Sequence, residues 1–241
     1  MNIVTLIPAR SGSKGIKNKN IIKINSKPLI AYSIILAKNS NLLKNEVYVS
    51  TNSKKIKKYA KKYGAEVPFL RPEKLAKDNS SDLDVFKHFN NWYKKNKKKK
   101  IDLIVHLRPT TPFRKLQTLE KAINIIKKNI NIDCLRTCSK SEFSPYKMWF
   151  KNNKNFAKPV ILTKNKHSIA RQLLPVSYDH NGYVDILRIS KTIEMNSMTG
   201  KKVYLFELDR KKECCIDIDE PSDLKKSEKY FKNFQFYKKK K

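Results

Sequence analysis

Three short stretches carry side chains suited to phosphate and metal-ion chemistry. The first is Ile7-Pro-Ala-Arg-Ser-Gly-Ser-Lys-Gly15, followed by Lys19-Asn20. Ala9, Ser11, Gly12 and Ser13 are small enough for backbone N–H groups to approach an anion, while Arg10, Lys14 and Lys19 neutralise it. A charge-assisted hydrogen bond contributes about 1.5–3 kcal/mol, so several together hold a triphosphate. The spacing fits neither G-x-x-x-x-G-K-[ST] nor G-x-G-x-x-G, which speaks against a Walker ATPase or a dinucleotide enzyme. A plain basic turn in a lysine-rich chain is the alternative. The second stretch, Leu107-Arg-Pro-Thr-Thr-Pro-Phe-Arg114, is stiffened by two prolines and supplies hydroxyl and guanidinium donors. The third is Asp217-Ile-Asp219. Alternate residues of an extended chain point the same way, so both carboxylates are expected to face one cavity. Such oxygen ligands suit Mg²⁺, which keeps waters and bridges to phosphates. A solvated acidic turn before a helix is the competing interpretation, with Glu220 and Asp223 suited to that role.

These stretches need a scaffold that brings their ends together. Asn2–Ala9 is a continuous apolar run rich in β-branched residues, the pattern of a strand buried on both faces. Pro28 opens a helix to about Lys38. Strands are expected at Glu46–Thr51, Val67–Leu70, Ile101–Leu107, Asp133–Cys138, Asn181–Ile189 and Lys202–Glu207. Helices are expected from Ser53 to Tyr63, ended by Gly64, and over Asp82–Asn96, Lys115–Asn129 and Pro221–Phe231. The alternation predicts an α/β fold, a mainly parallel central sheet with helices on both faces, in one unit over residues 1–233. In such sheets ligands bind beyond the carboxyl ends of the strands, where all three stretches are expected to lie. The rhythm breaks after Ser139, and an excursion over about 139–190 is expected. The lysine tail 234–241 is expected to fray.

The formal charge of +33 invites a nucleic-acid reading. Only eight of the 54 basic residues are arginine, however, and the lysines are spread along the whole chain. That scatter argues for solvated surface rather than a nucleic-acid-binding face, which remains the alternative from another class. Five arginines, at positions 10, 71, 108, 114 and 171, fall within the singled-out segments, where a planar fork is worth having. Cys134, Cys138, Cys214 and Cys215 form no C-x-x-C pair and read as plain thiols in a reducing, cytoplasmic setting. No stretch is long enough to cross a bilayer, and the Ile3–Ala9 run is too short for a signal peptide.

Taken together, the motifs resemble the acylneuraminate cytidylyltransferase (CMP-sialic acid synthetase) family. The resemblance runs from Ile3 to about Leu224. It rests on the turn from Ile7 to Gly15 with Lys19-Asn20, on Phe69-Leu-Arg-Pro-Glu-Lys-Leu-Ala-Lys-Asp78, and on Arg171-Gln172 with Leu174-Pro175 and Asn181-Gly182. Ile216-Asp-Ile-Asp-Glu-Pro221 completes it. It implies a Rossmann-like nucleotidyltransferase fold and a homodimer whose excursion embraces the neighbour. It implies that Arg10, Lys14 and Lys19 hold the triphosphate of CTP, with Ala9, Ser11, Gly12 and Ser13 in the same turn. Asn20, Arg71 and Ser80 would contact the cytidine. Asp217 and Asp219 would bind Mg²⁺, and one of them would serve as base. Lys147 and Arg171 would face the carboxylate and hydroxyls of an acidic nonulosonic sugar, with Arg108, Gln172 and Asn181 nearby. Two positions depart from the family: Arg108 stands where Gln is common, and Asn52 where Asp is common. A sister enzyme acting on the eight-carbon acid 3-deoxy-manno-octulosonate is the nearest alternative. Its Gln-Gly-Asp-Glu-Pro stretch is replaced here by Arg108-Pro-Thr-Thr-Pro112.

Overall fold

The computed structural model describes residues 1–163 and 166–233, so the lysine tail lies outside the described residues. The chain opens with strand β1 (Ile3–Pro8), the short pair β2 (Lys23–Ile24) and β3 (Lys27–Pro28), and helix α1 (Leu29–Asn39). It continues through β4 (Val47–Ser50), α2 (Lys54–Lys62), α3 (Asp82–Lys97), β5 (Leu103–His106), α4 (Leu116–Lys128) and β6 (Cys134–Lys140). A small hairpin, β7 (Trp149–Lys151) and β8 (Ala157–Pro159), precedes β9 (Tyr178–Arg188), β10 (Val203–Glu207) and α5 (Pro221–Asn233).

Six strands form one sheet in the order β10-β6-β9-β5-β1-β4. The pairs β1–β4, β1–β5 and β6–β10 are parallel, whereas β9 runs antiparallel to both its neighbours. The residues of β1 show why the strand reads as continuously apolar. Ile3 and Ile7 pack with Ile30 and Ile34 of α1, Ile56 of α2 and Ile123 of α4 on one face. Val4 and Leu6 pack on Phe86, Phe89 and Tyr93 of α3 on the other. A third cluster, with Phe113 and Ile218, sits against α5.

The expected strand at Val67–Leu70 is absent. Only Glu66 pairs, in an isolated bridge with Tyr48, because Pro68 has no N–H with which to extend a ladder. The helix starts follow the expected chemistry: the Ser53 hydroxyl accepts from the Ile56 N–H at 3.3 Å, and Gly64 closes α2 at φ +93°. Because β9 returns to the middle of the sheet, the chain leaves the sheet between β6 and β9 over residues 141–177, a shorter stretch than the 139–190 expected. Its surface is unusually apolar, with Phe143, Phe150, Phe156, Leu162 and Leu173 all more than 60% exposed.

Candidate active site

The chain turns sharply after β1, and neighbours hold several residues of that turn. The Ala9 N–H donates to the Ser50 carbonyl, fixing the strand end. The Ser11 N–H and hydroxyl both donate to Asn52 Oδ1, at 2.9 and 3.2 Å. Asn52 Nδ2 in turn faces both carboxylate oxygens of Glu73 at 3.2 Å. This accounts for the amide at that position: an aspartate would accept from Ser11 equally well but would repel Glu73. The side chain of Asn20 reaches back to the Arg10 carbonyl at 2.8 Å. Gly12 takes φ +82°, a left-handed conformation that favours glycine.

The far-distant acidic segment docks directly on this turn. Lys19 Nζ pairs with Asp219 Oδ1, and Gly15 lies so close that a methyl group there would stand 2.3 Å from the Asp219 carbonyl oxygen. The segment is held from its other side by the second motif, since the Ile218 N–H donates to the Thr110 carbonyl at 2.8 Å. Ile218 is fully buried between its two acidic neighbours. All three stretches singled out by their chemistry therefore meet at one place.

Two adjoining cavities open there. The smaller, about 490 Å³, is lined by Arg10, Ser13, Lys14, Lys19, Asn20 and Arg71, together with Asp219. The larger, about 640 Å³, takes Asn181, His180, Glu213 and Asp217. The two carboxylates thus open on neighbouring cavities rather than on a common one. Asp219 is drawn to Lys19, and Arg108 stands between the cavities and lines both.

The cations of the smaller cavity are partly neutralised. Asp78 accepts from Arg10 at 2.6 Å and Lys14 at 2.9 Å, and these contacts, Lys14 first, hold its carboxyl below the ordinary value. Arg71 is buried, with its guanidinium on the Ser50 hydroxyl at 3.1 Å and the Ser50 carbonyl at 2.5 Å. Burial lowers its pKa to about 10, so it remains charged at neutral pH.

Several residues named from the sequence lie elsewhere. Ala9 is buried in the strand end, Ser11 turns to Asn52, and Gly12 shapes the turn, so none of the three lines the cavity. The Ser80 hydroxyl donates to the Lys74 carbonyl at 3.0 Å and also stands outside it. On the sugar side, Arg108 and Asn181 share the larger cavity. Arg171 and Gln172 line a separate one of about 470 Å³ on the excursion, and Lys147 lines none of these. Among the described residues, Arg171 and Gln172 share no cavity with Asp217 or Asp219.

A buried polar cluster lies outside the three stretches. Asp185, 2% exposed in mid-β9, accepts from Arg108 at 2.8 Å and pairs with His180 Nε2 at 2.7 Å. Arg136 and His106 stand at 3.9 and 3.8 Å. Burial pushes the Asp185 carboxyl up, but the His180 hydrogen bond and the charge of Arg108 outweigh it and hold the group well below the usual carboxylate range. His106 is lowered to about 4 by burial and by Arg108, so its ring is neutral. The available signal was an aspartate inside the apolar run Tyr183–Ile189. Arg114, equally buried, is structural. It donates to the Tyr183 carbonyl, to the Ser33 hydroxyl at 3.1 Å and to the Arg108 carbonyl at 2.9 Å, fixing the loop that carries Arg108.

Known proteins resemble this chain in sequence and in fold. A CMP-N,N'-diacetyllegionaminic acid synthase of Campylobacter jejuni subsp. jejuni serotype O:2 is 36% identical over 225 residues, covering 92% of each chain. The post-translational flagellin modification protein B of Campylobacter coli is 35% identical over 223 residues, again covering 92% of each. Among solved structures, a CMP:2-keto-3-deoxy-manno-octonic acid synthetase complexed with CTP superposes with a TM-score of 0.68. It covers 97% of this chain and 99% of its own at 16% identity, a likeness of fold. No helix among the described residues is long and apolar enough to cross a membrane. The family model described as cytidylyltransferase matches residues 4–241, and with the basic turn, the acidic segment and the sheet between them in place, the chain belongs to that family.

Proposed function

We propose that the protein transfers CMP from CTP to the anomeric hydroxyl of a sialic-acid-like nonulosonic acid and releases pyrophosphate. The observation that carries this reading is the docking of the basic turn on the acidic segment, through Lys19–Asp219 and Gly15 against the Asp219 carbonyl. A site with cations at one wall and carboxylates at another suits a metal-bound triphosphate. The names of relatives matched over nearly their whole length, synthases of CMP-N,N'-diacetyllegionaminic acid, support an acid of this class as acceptor.

In this reading Arg10, Lys14 and Lys19 hold the triphosphate in the smaller cavity, exchanging their contacts to Asp78 and Asp219 for phosphate oxygens. Asn20 and Arg71 lie deeper, toward the nucleoside. The acceptor occupies the larger cavity beside Arg108 and Asn181, and its anomeric hydroxyl meets the α-phosphorus where the two cavities join. Asp217 opens on the larger cavity and Asp219 on the smaller; as hard oxygen donors on either side of the joint they would hold Mg²⁺, a cation that also takes phosphate and water oxygens. When bound, Mg²⁺ neutralises phosphate charge and acidifies the attacking hydroxyl. One of the two aspartates takes the hydroxyl proton, directly or through water.

The exposed apolar side chains of the excursion favour a homodimer. The excursion also carries Lys147 and Arg171, so pairing would let the excursion of one copy meet the acceptor cavity of the other. A cytoplasmic location, where CTP is available, is part of this reading; nucleic acid is not. The test is pyrophosphate release from each of the four nucleoside triphosphates against a panel of acidic sugars, with and without Mg²⁺. Turnover confined to CTP, a nonulosonic acid and Mg²⁺ is expected; turnover of an octulosonate alone, or of no acid at all, would refute the reading.

A further inference from the structure

Among the described residues, Arg108 is the one side chain that lines both cavities. One edge of its guanidinium is committed: a terminal N–H donates to Asp185 Oδ2 at 2.8 Å. No protein acceptor among the described residues is hydrogen-bonded to the rest of the fork. Gly182 keeps the space beside it open, since a methyl group there would stand 3.5 Å from the guanidinium and the backbone takes φ +63°. The Asp185 carboxylate is shared, with His180 on one oxygen and Arg136 3.9 Å away. With the His106 ring neutral, two guanidiniums, those of Arg108 and Arg136, face this one carboxylate.

The acceptor chemistry makes that joint demanding. In an ulosonic acid the carboxylate and the anomeric hydroxyl sit on the same carbon, so a hydroxyl aimed at the α-phosphorus brings a carboxylate close to the triphosphate. Two anions at that range repel unless a cation lies between them. We propose that the free edge of the Arg108 guanidinium takes the carboxylate of the acceptor acid, and that Asp185 is the positioning residue that aims it. This rests on the transfer reaction proposed above. Glutamine can both give and accept a hydrogen bond, whereas arginine only donates, so Arg108 selects an acceptor that presents paired lone pairs and negative charge. Asp185 fixes the fork from behind, which leaves little side-chain freedom to lose when the acid arrives.

The test is steady-state pyrophosphate release by the full chain with the acid and with its C1 carboxamide, for wild type, Arg108→Gln, Arg108→Lys and Asp185→Asn. Loss of a charge-assisted pair lowers kcat/KM for the acid about 10- to 150-fold in Arg108→Gln. The KM for CTP should stay within about threefold, and the preference for acid over carboxamide should shrink by the same factor as the acid's kcat/KM. Arg108→Lys, which keeps the charge without the fork, should fall between, and it decides the matter if melting shows that the glutamine variant does not fold. Asp185→Asn should raise the KM for the acid about tenfold and erode the same preference, which a merely structural role would not do. Equal losses on acid and carboxamide, or an acid kcat/KM within threefold of wild type in Arg108→Gln, would overturn the assignment. Failure of the parent reading looks different: wild type itself would release no pyrophosphate with any ulosonic acid.

Discussion

Gly15 is the position where a single methyl group tests how the site is assembled. A Cβ there would meet the Asp219 carbonyl oxygen at 2.3 Å, and ordinary van der Waals contact begins near 3.4 Å, so the turn or the acidic segment must retreat by about 1 Å. The retreat cannot be absorbed by a side chain, because the atom it meets is backbone. Nor can the segment slide freely, with Ile218 buried and its N–H bound to the Thr110 carbonyl. The backbone of Gly15 lies outside the left-handed region, so alanine adds no conformational strain of its own. A misplacement of about 1 Å in a positioned site costs roughly 100-fold in turnover. In Gly15→Ala, kcat for pyrophosphate release should therefore fall about 100-fold. The Kd for CTP should change by less than about fivefold, because Arg10, held by Asp78 and the Ala76 carbonyl, and Arg71, held by Ser50, keep their places. A kcat within threefold of wild type in a folded variant would refute the reasoning, since it would mean that the contact between turn and acidic segment does not set the reacting geometry.

Other perturbations separate chemistry from folding. Asp219→Ala removes a carboxylate that is largely exposed, so turnover should vanish while the melting temperature stays within a few degrees; near-normal activity would refute the metal-binding role. Arg114→Ala should destabilise the fold by about 3–5 kcal/mol in chemical denaturation, because it strips hydrogen bonds from buried carbonyls at Tyr183 and Arg108. His106 links stability to pH: its ordinary value of 6.5 is lowered to about 4 in the folded chain. The unfolded chain therefore binds the proton first as pH falls, and stability present above 6.5 is lost toward 4, by about 3 kcal/mol in all. Denaturation midpoints measured between pH 7 and pH 4 should show that slope, and His106→Asn should flatten it.

Much of the scaffold could be read from period and punctuation. β1 and β5 are buried on both faces, so their apolar runs are unbroken, and Ser53 and Gly64 bracket α2 by capping chemistry that needs no tertiary context. The strand expected at Val67–Leu70 failed because Pro68 outweighs the β-branched and aromatic residues around it. At the site, the three chemically unusual stretches do converge, yet the sequence cannot say which side chain turns inward. Ser80 and Ser11 bind neighbouring protein groups, and those partners, Lys74 and Asn52, are fixed only by the path of the folded chain. The separation of Asp217 from Asp219 was equally hidden. Alternation along a strand gives a common direction, but the pull of Lys19 on Asp219 and the intrusion of Arg108 are long-range facts. Asp185 is legible in the sequence, since a carboxylate in a buried strand needs partners.

The joining of the basic turn and the acidic segment into one nucleotide site is tested most directly by a crystal of the full chain soaked with CTP and Mn²⁺, with anomalous scattering to locate the metal. The predicted result is a metal peak within coordinating distance of the Asp217 and Asp219 carboxylates, with the triphosphate lying along Arg10, Lys14 and Lys19. A metal peak remote from both aspartates, or a triphosphate bound on another face of the sheet, would contradict it.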